Sequence, residues 1–223
     1  PAPAFTAEAR ANQEQRLKST DNAQPAIGAV SLGYYRILQA LGFKADFAAG
    51  HSFGELTALH VAGVLSDEDF HRLAMARGRL MKHVPDGDET ADRGAMLAAS
   101  LSPQQAEQCQ QKFDGLVIAN LNSNTQVVFG GSSQVISDAQ HFLQQQDVRC
   151  SVLPVSAAFH TDFVAHASEP FGEVLAGMQL KKPTMPVFSN VSATAHDKNT
   201  DKIKAALTEQ LTSTVHFKQM VEN

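Results

Sequence analysis

The sequence predicts an α/β protein in which a small β-α-β-β-α-β module interrupts a larger body, and three features carry that expectation. A short apolar run, 43–49, enters the turn Gly50-His51-Ser52-Phe53-Gly54 and a helical pattern leaves it, the strand–turn–helix order of a nucleophile elbow. Residues 93–156 alternate short strand and helix patterns in the β-α-β-β-α-β order of a ferredoxin-like module. Helix and strand patterns resume beyond it, so 1–92 and 157–223 read as two parts of one larger body.

Taken in order, residues 1–24 are polar and rich in Ala, Gln and Asn, the composition of a surface helix or an ordered tail. From Pro25 to Leu41, Ile27, Val30, Tyr34, Ile37, Leu38 and Leu41 recur at steps that fit one helix face, and Gly42 closes the helix. Phe43 to Ala49 is the strand that feeds the elbow. Gly50 and Gly54 are expected to allow the close backbone approach of such a turn, with the Phe53 amide aimed at a substrate carbonyl oxygen. A helix continues to Val61 and stops at Ala62-Gly63. Ser66-Asp67-Glu68-Asp69 starts the next, a capping box with Asp in place of Glu. Its apolar stripe is Phe70, Leu73, Ala74, Leu80 and Met81, and the member missing from that stripe is Arg77. An arginine on a buried face must find an anion because it keeps its charge. An internal Asp or Glu would serve, and so would a carboxylate carried by a substrate.

Residues 84–94 have the Pro, Gly and Asp density of a connector. Within the module, strands are expected at 96–100, 116–120, 126–129 and 148–155, helices at 102–113 and 133–145, and a turn at 122–124. After it, 156–162 turns from strand into a helix reaching Gly177. Pro183 to Val191 reads as a buried strand returning to the large body, and Asp201 to Leu211 as a final amphipathic helix.

A serine hydroxyl needs a neighbouring base to become a nucleophile. Of nine histidines, His51 is adjacent to Ser52 and leaves the turn in another direction. His60, His71, His83 and His141 fall within or at the ends of helices. His166, His196 and His216 suit surface or satisfied-core positions. His160 alone lies at a strand-to-helix junction, where α/β proteins present reactive groups, although a capping or packing role would also suit it there.

Composition narrows the function classes. With 223 residues, 43% hydrophobic and 18% charged, the chain has the makeup of a soluble globular protein with room for a substantial core. It contains no apolar run long enough to span a bilayer and no signal peptide, which makes the cytoplasm the expected location. A formal charge of −5 argues against nucleic acid as a partner. Cys109 and Cys150 belong to no metal-binding pattern and read as reduced packing residues.

With Gly50-His51-Ser52-Phe53-Gly54-Glu55, Ala76-Arg77-Gly78-Arg79-Leu80-Met81, Gly94-Ala95-Met96 and Ala158-Phe159-His160 in order, the chain resembles the malonyl-CoA:acyl carrier protein transacylases. That family includes the acyltransferase domains of multidomain fatty acid and polyketide synthases. The resemblance covers about residues 24–223, and the tract Gly-His-Ser-Phe-Gly-Glu-Leu-Thr-Ala-Leu is most similar to domains of polyunsaturated fatty acid synthases. It implies an α/β-hydrolase-like large subdomain (1–92 and 157–223) carrying an inserted ferredoxin-like one (93–156). It implies Ser52 as acylated nucleophile, His160 as general base and Arg77 as partner of an extender unit's carboxylate. His51, Phe53, Phe159 and Asn122 are expected at the substrate site. The family orients its histidine through backbone carbonyls, leaving Asp162 as no more than a nearby carboxylate. The large Phe159 beside His160 resembles the malonyl-type pattern. The implied substrate is malonyl-CoA, with no metal and no cofactor bound by the domain. The implied acceptor is the phosphopantetheine thiol of an acyl carrier protein, the implied partners are that carrier and neighbouring synthase domains, and neither nucleic acid nor membrane is a partner.

The sequence departs from the family where a Phe-Pro-Gly-Gln-Gly-like strand would supply a second oxyanion donor, and where a Gly-Pro-Gly-type segment would follow. The chain is therefore expected to be part of a larger polypeptide, with both domain edges outside it. Two other functions compete: a serine esterase or thioesterase that uses water as acceptor, and a non-catalytic domain kept for carrier docking.

Overall fold

The computed structural model describes residues 3–83, 87 and 90–223, so part of the expected connector at 84–94 lies outside the described residues. The helices of the larger body come first: α1 (Ala7–Lys18), α2 (Thr20–Ala40), α3 (Gly54–Val61) and α4 (Asp67–Lys82). Thr6 and Ser66 cap α1 and α4 by accepting from the amides of Ala9 and Asp69. α1 buries no residue, which fits its polar composition.

α2 lies close against α4. A Cβ at Gly78 would stand 2.7 Å from the Thr20 carbonyl oxygen, so only glycine permits the approach. The buried residues of α2 are Thr20, Gln24, Gly28 and Leu32. The buried face of α2 is thus built mostly from small and polar residues, with Leu32 its one large apolar member, and the apolar stripe points the other way. Ile27, Val30, Tyr34, Ile37, Leu38 and Leu41 are 45 to 78% exposed. Periodicity located the stripe correctly but not what covers it.

The ferredoxin-like module is present. β1 (Ala95–Ala99), α5 (Pro103–Gln110), β2 (Val117–Ser123), β3 (Gln126–Gly131), α6 (Ser133–Gln145) and β4 (Cys150–Val152) follow the expected order. They form an antiparallel sheet ordered β2-β3-β1-β4. Two expectations shift. β2 runs through Asn122 to Ser123, so the turn is Asn124-Thr125. β4 stops at Val152: Leu153 still donates to the Met96 carbonyl (2.8 Å), but the next amide due to face β1, that of Val155, turns back to the Leu153 carbonyl (2.9 Å).

The strands expected at 43–49 and 183–191 contract to one parallel bridge, Ala48 with Val187. The Ala48 amide donates to the Pro186 carbonyl (2.9 Å) and the Phe188 amide to the Ala48 carbonyl (3.0 Å). Pro183 and Pro186 cannot donate, and Phe43 and Phe47 stand exposed, so the ladder extends no further. A 3-10 turn at Asp162–Ala167, α7 (Ser168–Ala176), α8 (Thr200–Glu209) and α9 (Phe217–Glu222) complete the fold.

Separate apolar cores sit in the body (Leu56, Leu59, Phe70, Leu73, Phe171, Leu207) and in the module (Leu97, Val127, Phe129, Ile136, Leu143). The C-terminal segment stitches them together: the Leu121 amide donates to the Val215 carbonyl and the Val215 amide to the Ala119 carbonyl, both at 2.9 Å. Cys109 and Cys150 are free thiols, and no helix of the described residues is long and apolar enough to cross a membrane.

Candidate active site

The elbow forms where the sequence placed it. Ser52 adopts φ 52°, the left-handed region that costs a non-glycine residue energy and exposes its side chain on a tight turn. A Cβ at Gly50 would stand 2.1 Å from both the carbonyl carbon and oxygen of Gly54, so Gly50 is obligatory. Gly54 differs from expectation: a Cβ there would meet no atom within 4 Å, because Gly54 is the backbone approached and not the residue that must be small. The Phe53 amide opens α3 and donates to no described residue, leaving it free for a developing oxyanion.

Ser52 and His160, 108 residues apart, meet at 2.7 Å between Oγ and Nε2. His160 also has a positive φ, 62°, which turns its ring back toward the elbow. Its Nδ1 lies 3.0 Å from the Gln210 carbonyl, so Nδ1 carries the proton and Nε2 faces the serine as acceptor. Among the described residues no carboxylate completes the set, and Asp162 is exposed. Burial first, then the nearby Arg77 charge, lowers the His160 pKa from 6.5 to about 3, while the hydrogen bond to Gln210 opposes the shift. The imidazole is therefore neutral at physiological pH and able to take a proton.

Arg77 is 2% exposed, as its place on the apolar stripe required. Its Nη1 donates to Gln24 Oε1 (3.0 Å) and its Nη2 to Gln210 Oε1 (2.9 Å), with Nη2 also 3.4 Å from Ser52 Oγ. Both partners are neutral amides, and among the described residues no carboxylate is in ion-pair contact with it. Burial lowers its pKa from 12.5 to about 10, against the attraction of Glu55. It stays a cation beside the serine.

These groups face a cleft of about 420 Å³ between body and module, lined among others by Phe53, Met96, Asn120, Leu153 and Phe159. His51 lines it too, placed by Asn122 Oδ1 at 2.7 Å from its Nε2 and by the Phe217 ring at 5.2 Å. Asn122 is not among the lining residues and reaches the site through His51, whereas its neighbour Asn120 lines it directly.

Sequence reasoning missed Gln24, Gln210, Asn190, Glu55 and His196. Asn190 accepts from the Ser52 amide (2.6 Å) and donates to the Gly50 carbonyl (2.7 Å), clamping both ends of the turn. Glu55 and His196 are buried together, with 2.6 Å between Oε1 and Nε2. Neutral amides in helices and loops leave no pattern. Glu55 alone left a signal, as a charge within the apolar first turn of α3.

A serine on a strained elbow, a neutral imidazole within hydrogen-bonding distance and a buried cation beside them form an arrangement able to make and break a serine ester. Residues 8–223 match the acyl transferase domain family, and the chain belongs to it. It is 37% identical over 182 residues to mycoketide-CoA synthase of Mycobacterium tuberculosis, covering 81% of this chain and 4% of that protein. It is 32% identical over 216 residues to a polyunsaturated fatty acid synthase polypeptide of Thraustochytrium, covering 95% and 7%. It is 34% identical over 214 residues to the malonyl CoA-acyl carrier protein transacylase of Bacillus subtilis, covering 93% and 66%. The crystal structure of the Burkholderia pseudomallei transacylase superposes with a TM-score of 0.85 at 32% identity, over 95% of this chain and 71% of that one. The chain thus spans a small fraction of the synthases it matches and about two thirds of the transacylases.

Proposed function

We propose that this chain is a malonyl-type acyltransferase domain: it moves a malonyl unit from coenzyme A to the phosphopantetheine thiol of an acyl carrier protein through a Ser52 ester. The observation that carries the reading is the Arg77 guanidinium, buried 3.4 Å from the Ser52 hydroxyl and held, among the described residues, by the neutral amides of Gln24 and Gln210. A planar cation so placed fits the free carboxylate of a malonyl group, which it can grip with two parallel hydrogen bonds. The relatives point the same way, since two kinds of them are named for malonyl transfer and for polyunsaturated fatty acid synthesis.

In the first half-reaction His160 Nε2 takes the Ser52 proton as Oγ attacks the thioester carbonyl carbon, and the Phe53 amide donates to the oxyanion. The tetrahedral intermediate expels coenzyme A, whose sulfur receives the proton from His160, leaving a malonyl ester. In the second half-reaction the carrier thiol gives its proton to His160 and attacks the ester. Collapse returns that proton to Ser52 and releases malonyl-carrier. No metal or bound cofactor enters either half. Residues 1–92 with 157–223 act as the body that carries Ser52, Arg77 and His160, and 93–156 as the inserted subdomain that closes the cleft. His51, oriented by Asn122, and Phe159 shape its wall around the acyl group. The carrier and neighbouring synthase domains are the partners, and the domain works in the cytoplasm.

Intact-mass measurement after incubation with malonyl-, methylmalonyl- or acetyl-CoA tests this reading. Malonyl loading on Ser52 well above acetyl loading is expected. Equal loading, or malonate release with no adduct, would favour an esterase and sink the proposal.

A further inference from the structure

Behind the elbow, Glu55 is 0% exposed and fully engaged. Its Oε2 accepts from the Gln210 side-chain amide (2.6 Å) and from the Asn190 backbone amide (2.9 Å), and its Oε1 lies 2.6 Å from His196 Nε2. Gln210 in turn touches every reactive group. Its Oε1 accepts from Arg77 (2.9 Å), its Nε2 also donates to the Ser52 carbonyl (3.1 Å), and its backbone carbonyl stands 3.0 Å from His160 Nδ1.

We propose that Glu55 is a positioning residue: it fixes the polarity of the Gln210 carboxamide, and through it the aim of Arg77 and the geometry of the Ser52–His160 pair. The argument is one of donors and acceptors. A guanidinium only donates and a carboxylate only accepts, so the carboxamide between them has one satisfied orientation, oxygen to Arg77 and nitrogen to Glu55. Without an acceptor at Glu55, the Gln210 NH2 loses its short, charged anchor and keeps only the longer bond to the Ser52 carbonyl (3.1 Å), so the flipped amide, which presents a donor to a cation that needs an acceptor, becomes accessible. Asn190 loses its backbone anchor in the same event, and with it the clamp on Ser52. His196 holds the remaining carboxylate oxygen, so Glu55 cannot swing away to solvent.

The inference rests on the acyltransferase reading only for its selectivity arm. Two variants and two readouts test it. Glu55→Leu is close in size and has no acceptor, whereas Glu55→Gln keeps one oxygen for Gln210 and can turn its NH2 to His196, whose tautomer adapts. Covalent labelling of Ser52 by a fluorophosphonate reports the serine–histidine pair whatever acyl group the site takes. The malonyl-to-acetyl loading ratio reports Arg77, and loss of packing alone does not move it. Per folded molecule, Glu55→Leu is expected to lose at least about 30-fold in labelling rate and about tenfold in the ratio, with Glu55→Gln recovering both to within about threefold of the parent. Leu retaining both, or Gln falling as far as Leu, overturns the proposal. If Glu55→Leu does not fold, Gln210→Met must still lower the ratio about tenfold, and an unchanged ratio overturns it. A parent protein that labels at Ser52 but never loads malonyl counts against the proposed function, and the labelling arm then judges Glu55 alone.

Discussion

Replacing Arg77 by alanine removes two hydrogen-bond donors from the proposed site of the substrate carboxylate. Hydrogen bonds to charged groups contribute about 1.5–3 kcal/mol each, so a bidentate pair contributes about 3–6 kcal/mol. Arg77 is 2% exposed, and solvent screening offers little discount. At about 1.4 kcal/mol per tenfold, malonyl kcat/KM should fall about 10²- to 10⁴-fold. Acetyl transfer should rise, because acetyl-CoA no longer leaves a buried cation without its anion. A second signature is independent of binding. The Arg77 charge is the second cause, after burial, of the depressed His160 pKa, so its removal must move the acid limb of the pH–rate profile upward. The assay is transfer from malonyl- and acetyl-CoA to a carrier thiol across pH 4 to 8, with Arg77→Lys alongside, which keeps the charge and loses the fork. Malonyl and acetyl rates falling by the same factor, with an unmoved acid limb, would refute the assignment of Arg77 to the substrate carboxylate.

The remaining predictions concern the base, the elbow and the absent acid. With His160 depressed to about 3, the acid limb of kcat/KM in the parent should lie well below pH 6.5, and a limb near 6.5 would contradict the buried, cation-flanked site. Stability has the matching sign. The unfolded chain binds a proton at His160 below pH 6.5 that the folded chain refuses until about pH 3, so stability falls as pH drops through that window. Urea midpoints at pH 7 and pH 5 should converge in His160→Gln. Gly50→Ala, whose Cβ would sit 2.1 Å from Gly54, should cost about 3 kcal/mol or more, seen as a lowered melting temperature. Gly54→Ala should change stability by less than about 1 kcal/mol. Asp162→Asn should keep transfer within about twofold, since the Gln210 carbonyl, and not Asp162, faces His160 Nδ1.

The three residues proposed to act on the substrate were picked out for separate reasons. Ser52 is announced by small residues that a tight turn demands and Arg77 by being a charge on an apolar stripe, whereas His160 was picked from an expected strand end that the structure does not have, since β4 stops at Val152 and His160 sits in a turn. Their supports were not legible. Gln24 and Gln210 are neutral amides whose spacing marks no face, and the left-handed φ of His160 has no sequence mark. His196 was expected at a surface or satisfied-core position, and its pairing with Glu55 is the second of these. The module read well because alternating strands and capped helices are local patterns. Ser102 and Gln105 even form the full capping box. The larger body read less well, because a central strand is made by its neighbours. Pro183 and Pro186 interrupt its pairing, and a helical stripe such as that of α2 specifies a face without naming what it packs on.

The central claim is that a malonyl group on Ser52 passes to a carrier thiol and not to water. Rapid-quench analysis of the malonyl-loaded protein, mixed with phosphopantetheinylated carrier, measures that partition directly. The account predicts that the Ser52 ester decays as malonyl-carrier appears in equal amount, that it persists when the carrier is omitted, and that it never forms in Ser52→Ala. Decay to free malonate at the same rate with or without the carrier would contradict it.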